Sequence, residues 1–66
     1  MEKMKLKELN IGDRFTHPFA PRHKMTIITK EKWYSSQLIV CKSNITGDEL
    51  YKFSAALKVE VLDARH

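Results

Sequence analysis

The soft metal ligands of this chain are three histidines and one cysteine: His17, His23, His66 and Cys41. A structural zinc site needs such residues in close pairs, as in Cys-x-x-Cys or His-x-x-x-His, so that one local turn delivers two ligands to a tetrahedral ion. No such pair exists, and His17 and His23 stand on a stretch that carries both prolines, Pro18 and Pro21. They read as loop histidines, and no metal or other cofactor is expected. Cys41 would act as a nucleophile only with a base beside it. Between Val40 and Lys42 it reads instead as a small, semi-buried apolar residue. The carboxylates Asp13, Asp48, Glu49 and Asp63 sit at turns and element ends, and Asp13 and Asp48 each follow a glycine. That placement is turn chemistry rather than acid–base catalysis. Gly12 and Gly47 belong to no glycine-rich phosphate loop. The chain reads as a non-enzyme.

What remains is surface recognition. Two segments combine cations with flat rings. The first holds His17, Phe19, Arg22, His23 and Lys24, and the second holds Lys30, Lys32, Trp33 and Tyr34. Ammonium and guanidinium groups neutralise phosphates while rings stack on bases, so such a mixture suits a nucleic-acid strand. Trp, Tyr and Arg are equally the residue types that dominate protein–protein interfaces. The expected ligand-binding set is Phe19, Arg22, His23, Lys24, Lys32, Trp33 and Tyr34. Phe19 and Trp33 have a competing role as lids folded over a thin core, because large rings supply much apolar area. Lys3, Lys5 and Lys7 form a basic comb. At strand spacing it shares one face and either protects an edge or extends a phosphate-tracking stripe.

The elements that must position these residues are short β-prone runs between turn signals. Met4–Lys7 alternates as an edge strand or lead-in would, while Leu6–Leu9 competes as one helical turn. Leu9-Asn10-Ile11-Gly12-Asp13-Arg14-Phe15 places a Gly-Asp bend between two apolar anchors, since Gly accepts unusual backbone angles and Asp bonds its own backbone nearby. Strands are expected over 14–16, 24–30, 37–43, 49–53 and 58–62. A proline-bearing loop covers 17–23, because proline removes ladder donors. A second loop covers 31–36, and a tight turn over 44–48 has Gly47 where φ must be positive. A 3₁₀ turn over 54–57 is capped by Ser54. Phe15, Ile27, Val40, Phe53, Val59 and Val61 are assigned to the core, with Tyr51 left between core and rim.

This order of loop lengths resembles the SH3-like small β-barrel from about Leu9 to Leu62. The resemblance implies an all-β, five-stranded SH3-like barrel with a 3₁₀ turn before the last strand. It also implies that the first and second loops lie side by side and flank one groove. The chain is similar, too, to short bacteriophage and mobile-element proteins that open with Leu-x-x-Gly-Asp-x-Phe, a pattern that carries no catalytic residue. It departs from peptide-binding SH3 domains in lacking their acidic first loop and paired aromatics.

Sixty-six residues make one domain, which at this size buries only roughly 60% of the surface it exposes when unfolded. The expected division is a lead-in or edge strand over 1–8, the barrel over 9–62 and a tail over 63–66. One cysteine precludes an internal disulfide and points to a reducing, cytoplasmic setting. No apolar run reaches the ~20 residues that span a bilayer, and the basic start has no apolar stretch after it, so no signal peptide or membrane association is expected. A net charge of +4 favours acidic partners, although Glu2, Glu8, Glu31, Glu49 and Glu60 break the positive field. The expected function is a non-catalytic binding module, nucleic-acid-associated through its basic and aromatic loops. The alternative is a protein-interaction module, for instance a phage or mobile-element factor that docks on a host protein. An open strand edge also permits a homodimer.

Overall fold

The computed structural model describes residues 3–63; His66 lies outside them. Strands β1 (Lys3–Lys5), β2 (Arg14–Thr16), β3 (Lys24–Trp33), β4 (Ser36–Ser43), β5 (Leu50–Ser54) and β6 (Lys58–Asp63) form one antiparallel sheet in the order β1-β6-β2-β3-β4-β5. The all-β class expected from the sequence is therefore present. The sheet has six strands rather than five, because Lys3–Lys5 pairs with Lys58–Glu60. It is not closed into a barrel: β1 and β5 are its two edges.

Between those edges runs non-strand backbone. A 3₁₀ segment, Leu6–Glu8, follows β1. Leu6 N–H donates to Leu57 O and Lys7 N–H to Ala55 O, both at 2.9 Å, while Ala55 N–H donates to Gln37 O at 3.1 Å. The turn before β6 is thus tied to the N-terminal segment on one side and to β4 on the other. The 3₁₀ segment stands before β2 rather than before the last strand. Ser54–Leu57 is a single hydrogen-bonded turn, with Leu57 N–H on Ser54 O at 3.1 Å and Ala56 N–H on Ser54 Oγ at 3.3 Å.

The Gly-Asp bend is a structural staple. Leu9 and Phe15, its two anchors, are both buried. Gly12 adopts φ 95°, a left-handed angle that side-chain-bearing residues avoid. Asp13 Oδ2 accepts from Asn10 N–H at 2.8 Å, so the carboxylate closes its own turn. Gly12 N–H donates to Ile27 O at 2.9 Å and Ile27 N–H to Asp13 O at 3.0 Å, which stitches the bend to the middle of β3.

The core gathers Leu6, Leu9, Phe15, Met25, Ile27, Ile39, Cys41, Ala55 and Val59, with Met4, Tyr51, Phe53, Leu57 and Val61 packed half-buried against it. Strand alternation accounts for the pattern. Ile27 opposes Cys41, and Ile39 and Cys41 oppose Phe53 and Tyr51, so all five share the inner face. Val40, expected in the core, is buried but lies between Ile39 and Cys41 and so points to the other face. A register shift between Ile27 and Thr29 marks a bulge at Ile28, and a bulge bends its strand.

Lys3 and Lys5 lie on edge strand β1, whereas Lys7 falls in the 3₁₀ segment. The three lysines therefore do not share a strand face.

Candidate functional site: two separated aromatic ends

Strand β3 decides where the expected ligand-binding residues lie. It runs for 10 residues from Lys24 to Trp33, bulged at Ile28, roughly 30 Å along its path at the usual rise per residue. Phe19, Arg22, His23 and Lys24 stand at its start, and Lys32, Trp33 and Tyr34 at its end. The two groups do not meet in one groove. The physical reason is the length of the second connector. Thr29–Trp33 pairs in register with Ser36–Val40, so the expected loop over 31–36 is strand, and only Tyr34 and Ser35 remain as a turn. The first loop, seven residues over 17–23, folds back on itself: His17 N–H donates to His23 O at 3.0 Å and His23 N–H to Ala20 O at 2.9 Å.

At the start of β3 the loop is held against the far strands. The His17 ring meets Phe53 edge-on with centroids 5.1 Å apart and Tyr51 at 6.0 Å. Tyr51 and Phe53 themselves stack at 6.5 Å. His17 Nδ1 accepts from Phe19 N–H at 3.1 Å and from Ala20 N–H at 3.2 Å. His23 Nδ1 lies 2.7 Å from Ser43 Oγ, which also accepts from Ile45 N–H at 3.1 Å. Lys24 N–H donates to Asn44 Oδ1, and Lys24 Nζ donates to Pro21 O. His23 and Lys24 are thus occupied in holding the loop. Phe19, 80% exposed, and Arg22 project from it; Phe19 is not a lid.

Ser43, Tyr51 and Phe53 are partners of this loop that lie outside the expected ligand-binding set. Tyr51 and Phe53 share a face by alternation, a signal legible in the sequence. Their meeting with His17 depends on how far the sheet curls, which no local pattern states. Beside the loop lies a depression of about 180 Å³, lined by Lys3, Thr16, His17, Pro18, Pro21, Val59 and Glu60. That is below the ~300 Å³ at which small-molecule pockets usually begin.

At the other end, Trp33 is half exposed and Tyr34 is 97% exposed. Glu31 Oε2 accepts from Trp33 Nε1 and from Lys52 Nζ, each at 3.2 Å. The hydrogen bond from Trp33, then that from Lys52, holds the Glu31 carboxyl below its ordinary range. The indole is therefore oriented before any ligand arrives. Tyr34 has φ 53°, the one positive φ at a non-glycine position among the described residues. A two-residue hairpin turn calls for positive φ at its first position, where Gly or Asn is the usual occupant. A tyrosine there carries a backbone cost of about 1–2 kcal/mol.

Cys41 is fully buried, and burial pushes its thiol up to about 12. It stays protonated at neutral pH, so it supplies no thiolate. Among the described residues no cluster of three His, Cys, Asp or Glu side chains is placed to hold a metal ion, and no helix is long and apolar enough to cross a membrane. Comparison of the chain with protein-family models, curated proteins and solved structures returns no match in any of the three.

Proposed function

We propose that this protein is a non-catalytic binding module whose principal contact is the β3–β4 hairpin tip, and that its ligand is single-stranded nucleic acid. One observation carries the reading. Tyr34 presents a fully exposed ring from a backbone angle that a smaller residue would adopt at less cost, and a strained residue at an exposed tip points to use rather than to stability. Trp33 stands next to it with its ring oriented by Glu31. Lys32 follows on the same strand, and Lys52 is drawn to the outer face beside Trp33. Rings stack on bases at about 1–3 kcal/mol each, and the ammonium groups follow the backbone.

We also infer an SH3-like arrangement for the sheet. Strands β6-β2-β3-β4-β5, in that order, correspond to an SH3-like arrangement in which the last strand returns beside the first, with β1 as an added edge. The two-residue β3–β4 turn leaves such a fold without a second loop to flank its usual groove.

The test is fluorescence anisotropy with a short labelled single strand of mixed sequence. We expect binding at about 50 mM salt that weakens steeply by about 200 mM, as counterion release demands. Trp33→Ala and Tyr34→Ala should each cost about 1–3 kcal/mol of binding. Salt-independent binding, or none at low salt, removes the nucleic-acid reading.

A second reading is favoured by Phe19. Its exposed ring, on the same loop as the exposed Arg22, is an interface anchor of the kind that dominates protein contacts. A stoichiometric protein partner that survives nuclease treatment and is lost with Phe19→Ala would establish it.

A further inference from the structure

We propose that the turn from His17 to Ala20 is a proton-operated latch: a neutral His17 ring holds the first loop closed, and protonation of that ring opens it. The inference is independent of what the hairpin tip binds.

The hydrogen bonds fix the tautomer. An imidazole nitrogen that accepts from two backbone N–H groups carries no hydrogen. His17 Nδ1 accepts from Phe19 and Ala20, so its ring hydrogen is on Nε2. Protonation adds a hydrogen to Nδ1 and aims it at two donors. Both hydrogen bonds are lost together, and the turn from His17 to Ala20 loses its side-chain acceptor, while the backbone bonds between His17, His23 and Ala20 remain at the base of the loop.

The surroundings add to this. Every element packed near the ring brings a polar or charged group. His23, on the loop itself, lies 6.0 Å away between ring centroids. Its Nδ1 contacts Ser43 Oγ. Lys3 from β1 and Glu60 from β6 line the depression that His17 also borders, one of each sign. Tyr51 from β5 presents a ring. Lys24 Nζ is bonded to Pro21 O, and Arg22 is exposed. Burial first, and the His23 charge second, hold His17 below its ordinary 6.5.

The sign follows from linkage. An opened loop binds the proton more readily than the closed one, so closure gains stability as pH rises. The closed form is at full strength above about pH 6.5, the ordinary histidine value. It weakens as pH falls through that value. The latch controls Phe19 and Arg22, the two exposed groups of the loop.

NMR titration of the intact protein from pH 8 to pH 5 is the test. The His17 ring proton should titrate with a midpoint below 6.5, and the amide protons of Phe19 and Ala20 should move upfield with that same midpoint. His17→Asn supplies the second arm, since Asn Oδ1 takes the place of Nδ1 as acceptor and does not titrate. In that variant the two amides should stay downfield across the range. Wild-type amides that stay still while the ring titrates overturn the proposal, and so does an unchanged amide titration in His17→Asn. Should that variant fail to fold, the wild-type titration decides the matter alone.

Discussion

The carboxylate of Glu31 receives the indole N–H of Trp33 at 3.2 Å, two residues along the same strand. Alternation places both on one face of β3, and Lys52 completes the group from β5 across β4. An exposed tryptophan is thereby given a preferred orientation.

That arrangement predicts a pH response at the acid end. Glu31 is held below its ordinary 4.5 by the two donors. A depressed carboxyl contributes while ionised, so the tether persists above about pH 4.5 and is lost as pH falls below it. The fluorescence of the single tryptophan should change over that range. Glu31→Gln should remove the change, while a matching change in the variant would mean that the tether does not orient the ring.

Tyr34→Gly separates recognition from folding. The ring makes almost no packing contact, and glycine adopts the positive φ freely. Stability by chemical denaturation should be unchanged or higher by up to about 1 kcal/mol. Binding at the hairpin tip should fall by about 1–3 kcal/mol in the anisotropy assay. Loss of stability with binding intact would place Tyr34 in the fold rather than in the site.

Leu6→Ala tests whether the N-terminal segment belongs to the core. Leu6 is completely buried within a three-residue 3₁₀ segment. Removing its side chain should cost about 2–5 kcal/mol, which is a large share of the stability of a domain this small. Urea unfolding checks it, and a cost below about 0.5 kcal/mol, the range of surface substitutions, would mean that β1 and the 3₁₀ segment are appended rather than integral.

Much of the fold was legible along the chain because its signals are local. The β-branched run Thr26–Thr29, the alternation in Leu38–Cys41 and the glycine turns each act within a few residues. Gly12 and Gly47 do adopt the positive φ angles that their positions call for. Leu6, Leu9, Met25 and Ile39 were not assigned to the core, though all are buried. Leu6 and Leu9 flank a segment with no strand period, and that segment is tied down by backbone bonds from Leu6 and Lys7 to Leu57 and Ala55, about fifty positions away.

The candidate site divided along the same line. Residue types alone determined that cations and rings gather on the 17–24 and 30–34 segments, since that is composition. Whether the segments touch was a question of pairing. Each added pair between Thr29–Trp33 and Ser36–Val40 satisfies backbone donors and acceptors and lengthens the hairpin. The ladder therefore consumed the second loop and carried its rings to the far end of β3. Chain order determined the strands and turns of this protein. Register, which depends on partners distant in sequence, decided that it has two aromatic ends and not one groove.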